Sequence, residues 1–82
     1  MPAAFPWFDF LKTEVDIATT FIKVARTANH EQAARAVDGA RRAIGEVRRC
    51  LVSPMMLSLS AAEVLLLERR CSEIESALAG IE

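Results

Sequence analysis

Apolar residues in the first third of the chain recur at alternating spacings of four and three, at Leu11, Val15, Ala18, Ile22 and Ala25. At about 100° of rotation per residue, that rhythm draws one stripe along an α-helix. A second series, Ile17, Phe21, Val24 and Ala28, runs beside the first and makes the apolar face wider than a two-helix seam requires. The pattern predicts a helix over about residues 9–28 that needs two neighbours.

Asn29 then offers a side-chain oxygen at an N-cap position, with Gln32 at the capping-box position three residues on. From there Ala33, Val37, Ala40, Ile44, Val47 and Leu51 keep the helical rhythm, predicting a second helix over about 30–52 that stops before Ser53 and Pro54. Gly39 and Gly45 fall inside it, each costing roughly 1 kcal/mol against alanine. Together with the many alanines, they read as places where a neighbouring helix comes close. The third start carries the clearest signal: Ser60 and Glu63 form an S-x-x-E capping box, with Leu59 and Val64 in the staple positions around it. Val64, Leu67, Cys71, Ile74, Leu78 and Ile81 continue the stripe, and Gly80 is expected to end the helix near Leu78 or Ala79, giving about 61–79.

Three helices of similar length joined by short loops predict an all-α fold, an antiparallel up-down-up three-helix bundle formed as one domain over 1–82, with an aromatic segment over 1–8. Charges flanking the stripes fit that packing, since Arg41 and Arg48 border the seam of the second helix while Glu68 and Glu75 border that of the third.

Composition narrows the function classes. The chain has 82 residues, 52% hydrophobic and only 6% aromatic, with 10 basic against 11 acidic side chains. So short a domain has little material for both a core and a carved catalytic cleft. A near-neutral balance speaks against a dedicated nucleic-acid binder, and no stretch approaches the roughly 18 apolar residues of a membrane span. The N-terminus has neither the basic segment nor the cleavage site of a secretory signal, so a cytoplasmic address is expected.

The inventory of reactive groups is thin. His30 is the single imidazole, expected in the first turn of the second helix and facing solvent. Cys50 lies 20 positions further along that helix, about 30 Å away, so the two cannot form a dyad within one chain. Cys50 and Cys71 stand at unmatched heights on their helices, out of disulfide reach, and read as reduced thiols with Cys71 in the core. The acidic residues lack the spacing and histidine partners of a carboxylate metal site, and no glycine-rich phosphate loop follows a strand. No catalytic residue, metal or cofactor is expected.

Two surface features remain. Arg35, Arg42 and Arg49 repeat every seven residues as an outer ridge on the second helix, a candidate anion-binding ridge interleaved with Asp38 and Glu46. Apolar residues are also in surplus: Leu65 and Leu66 lie off the third stripe, the second stripe of the first helix is broad, and Phe5, Pro6, Trp7, Phe8 and Phe10 form an aromatic run. The run either folds over the end of the bundle, with the leucines broadening the core, or some of these residues form an exposed patch for self-association or a partner helix. Met55, Met56 and Leu57 in the second loop belong to the same question. The candidate protein interface is therefore Trp7, Phe8, Phe10, Ile17, Phe21, Val24, Leu65 and Leu66.

The hairpin around Ala25 to Ala40, with Ala28, Asn29, His30, Glu31, Gln32 and Ala33 followed by Val37 and Ala40, resembles the turn and second helix of a tetratricopeptide-type repeat. It is similar also to the microtubule-interacting-and-transport domain, in which such a hairpin is followed by a third helix. The resemblance implies a peptide-binding scaffold whose ligand helix or strand docks in a groove between helices. Taken together, the sequence predicts a non-enzymatic small helical protein–protein interaction module that associates with itself as a homodimer or higher oligomer, and with a protein or peptide. The alternative is a nucleic-acid-associated regulator using the arginine ridge.

Overall fold

In the computed structural model, which describes residues 5–52 and 58–81, three helices run Trp7–Thr27 (α1), His30–Leu51 (α2) and Ala61–Ile81 (α3). Each packs against the other two, and no strand occurs among the described residues, so the all-α three-helix bundle is the observed architecture. Residues 55–57, including Met55 and Met56, lie outside the described residues, as do Ser53 and Pro54.

Local chemistry sets the helix starts. Pro6 precedes α1, where its fixed φ suits a helix entrance, and its carbonyl accepts from the Phe10 N–H at 3.0 Å. Trp7 and Phe8 are therefore helical, and α1 begins two residues before the sequence pattern placed it. The pattern began at the amphipathic stripe and so missed an entrance that carries no side-chain cap. Asn29 caps α2, its Oδ1 accepting from the Gln32 N–H at 2.9 Å. The α3 box is complete: the Glu63 N–H donates to Ser60 Oγ at 3.1 Å, and the Ser60 N–H donates to Glu63 Oε1 at 2.8 Å. At the far end, Gly80 does not stop α3, which continues to Ile81 because that side chain packs against the core.

The core joins Leu11, Val15, Ala18 and Ile22 of α1, Ala40, Ala43, Ile44 and Val47 of α2, and Leu67, Cys71, Ile74 and Leu78 of α3. Every member of the first α1 stripe is buried. On α2 the buried face is turned toward Ala36 and Ala43, while Ala33, Val37 and Leu51 are only half-buried. The shift follows from packing, because α2 presents its Ala43 side to α1 and its Arg48 side to α3. Contact between helices is close where Phe21 covers Gly39: a Cβ at Gly39 would lie 2.8 Å from two ring carbons. Gly45 differs from the sequence expectation, having nothing within 4 Å of the position a Cβ would take.

Candidate functional site

The broad apolar face of α1 is divided by the fold into two unequal parts. Leu11, Val15 and Ala18 go into the core, and Phe21 is drawn half-inside by Gly39. Phe10, Ile17 and Val24, seven residues apart, remain outside at 40%, 41% and 42% exposure. They form a straight stripe on the side of α1 away from α3.

The edge of that stripe is uncharged. Thr13, Thr20 and Thr27 also repeat every seven residues, and each hydroxyl donates to the carbonyl four residues earlier, at 2.8, 3.1 and 3.2 Å. With the hydroxyl satisfied by the helix's own backbone, the methyl group is what each threonine offers a neighbour. Beyond the threonines stand Asp9 and Asp16, and Asp16 is touched by Arg70 of α3 at 3.4 Å. On the other edge the stripe becomes a shallow groove shared with α2, lined by Glu14, Ile17 and Phe21 from α1 and Gly39, Ala43 and Glu46 from α2.

Of the arginine ridge, Arg42 lines this groove. Arg35 pairs with Glu31 at 3.0 Å and Arg49 approaches Glu46 at 4.0 Å, both in exposed positions, whereas Arg42 has no ionic or hydrogen-bond partner among the described residues. On the opposite edge of α2, Arg48 reaches across to Glu75 and Ser72 of α3, as the flanking charges predicted. The Glu75 hydrogen bond is the main reason the Arg48 pKa is raised.

The other candidate residues separate by position. Phe8 packs against the core, and Trp7 is half-buried. The aromatic run neither folds wholly inward nor stands wholly free: Phe5, Trp7 and Phe10 gather their rings at centroid distances of 4.7 and 5.9 Å, with Phe5 and Phe10 exposed. Leu65 and Leu66 are both exposed, on different sides of α3, and do not join the α1 stripe. The sequence reading missed the threonine edge, whose period of seven was present in the chain but carried no hydrophobic signal.

Reactive groups are dispersed. His30 is exposed at the start of α2. Both cysteines are free thiols, with Cys71 buried and Cys50 half-buried, and burial pushes the Cys71 thiol above its ordinary pKa. Among the described residues no three metal-ligating side chains come together, and no helix is long and apolar enough to cross a membrane. Comparison with known protein families, curated proteins and solved structures finds no match to this chain.

Proposed function

We propose that this chain is a non-enzymatic helical protein–protein interaction module that associates with itself through the outer face of α1, in the cytoplasm. The observation that carries the reading is the Phe10, Ile17 and Val24 stripe, three large apolar side chains left in water on one line with an uncharged threonine edge. Small domains gain burial by covering such faces, and a second copy is a partner always present at the working concentration. The two free thiols suit a reducing compartment.

Light scattering on the full chain across a concentration range tests the reading. A mass of twice the 9.0 kDa chain, reduced to the monomer by Ile17→Glu with helicity unchanged, is the expected result. A monomer at every concentration would overturn it. The ridge, in which Arg42 has no partner among the described residues, favours a second reading, a nucleic-acid-associated regulator, although Glu31 and Glu46 beside Arg35 and Arg49 weaken its field. Nucleic-acid binding that falls steeply with salt and is lost on replacing Arg35, Arg42 and Arg49 would establish that alternative.

A further inference from the structure

The groove between α1 and α2 holds a register that bears on how two copies meet, an inference that rests on the self-association reading above. Phe21 lies against Gly39, and Glu14 and Ile17 line the same groove as Ala43 and Glu46. Counted residue for residue from the Phe21–Gly39 contact, antiparallel helices put Ile17 level with Ala43 and Glu14 level with Glu46. Counting along the antiparallel pair from these crossings, Arg42 stands about 3 Å along the axis from the height of Asp16, two residues at 1.5 Å each. Arg49 stands equally close to the height of Asp9. Within one chain these groups do not meet, because Asp9 and Asp16 are on the side of α1 turned away from α2.

A second copy closes that gap in only one orientation. When the two α1 helices run parallel about a two-fold axis along their length, each α1 can settle into the α1–α2 groove of the other. Phe10 then meets Phe10, Ile17 meets Ile17 and Val24 meets Val24, as in a seam with a period of seven. The threonine edge of each α1 faces α2 of the other copy, and just outside it Asp16 and Asp9 come beside Arg42 and Arg49. Arg70 holds one Asp16 oxygen, Oδ1, leaving the other for Arg42 of the copy. Arg35 comes level with Lys23 of the copy, a repulsion offset by its own pair with Glu31. In the antiparallel arrangement both α2 helices lie on one side of the α1 pair, where they collide in the grooves. Side by side, they bring Arg42 against Arg42.

We propose that the chain forms a parallel two-fold dimer in which Phe10, Ile17 and Val24 of each α1 make the seam, while Arg42 and Arg49 of one copy bind Asp16 and Asp9 of the other. The test is oxidative cross-linking of full-length Val24→Cys in a Cys50→Ala background. Efficient linkage of Val24→Cys to itself, and of Phe10→Cys to itself, is expected. Linkage only when Val24→Cys is mixed with Phe10→Cys would overturn the parallel arrangement while leaving self-association standing. A monomer by light scattering would overturn both.

A charge exchange supplies an independent measure. The full-length Arg42→Glu/Arg49→Glu chain and the Asp9→Lys/Asp16→Lys chain should each self-associate at least tenfold more weakly than the parent. Mixed together, they should recover a heterodimer of near-parental affinity, since each contact between positions 42 and 16, or 49 and 9, then joins opposite charges. Two variants with parental helicity that fail to associate on mixing would refute the assigned ion pairs.

Discussion

Gly39 and Gly45 are the same residue on the same helix, yet their surroundings differ. Phe21 occupies the space a Cβ would need at Gly39, while Gly45 opens to solvent. Alanine at either position gains about 1 kcal/mol of helix propensity, but at Gly39 the displaced ring costs about 1–3 kcal/mol. Urea unfolding should therefore show Gly45→Ala stabilised by about 0.5–1 kcal/mol and Gly39→Ala neutral to destabilised by about 2 kcal/mol. The thiols divide in the same way. In the native protein Ellman's reagent should modify Cys50 well before Cys71, with both reacting at once in denaturant. Because the folded Cys71 holds its proton above the ordinary value of 9.0, the unfolded thiol ionises first. Its contribution to stability is intact below about pH 9 and declines as pH rises beyond it.

At the scale of the element, caps and edges matter more than propensity. Ser60 and Glu63 satisfy each other's backbone amides at the start of α3. Ser60→Ala should cost about 0.5–2 kcal/mol in chemical denaturation, with no change in the oligomer, since the cap lies away from the α1 stripe. The Arg48–Glu75 pair joins α2 to α3 with side chains 41% and 51% exposed, so water screens it strongly. A double-mutant cycle should return only about 0.2–1 kcal/mol of coupling. It marks the edge of α2 that packing turns toward α3, with the Arg35, Arg42 and Arg49 edge left outward.

For the whole molecule, stability rests on one small core shared by three helices. Leu67, fully enclosed between α3 and its neighbours, is a member whose truncation leaves a cavity. Leu67→Ala should cost about 2–5 kcal/mol, a large part of the roughly 5–15 kcal/mol available to such a domain, and should appear as a lowered melting temperature. If the dimer forms, dilution should lower the melting temperature of the parent chain but not of Ile17→Glu, because association stabilises only the folded state.

The heptad and four-three rhythms determined the three helices, their order and most of their inward faces, because burying one stripe per helix is a local constraint written residue by residue. The two polar caps were equally legible, since each needs only side chains within four positions of one another. Which part of the broad α1 face goes inward was a tertiary decision: Phe21 is held by Gly39 of another helix, whereas Ile17 and Val24 have the same chemistry and no such neighbour. The α2 helix was likewise turned toward Ala36 and Ala43 because two partners compete for its surface, a competition that no single-helix pattern records. The register that brings Arg42 to the height of Asp16 also arises only from the packing of α1 on α2. Distances along the chain fix the period of a stripe, but the height at which two stripes meet depends on how their side chains interlock.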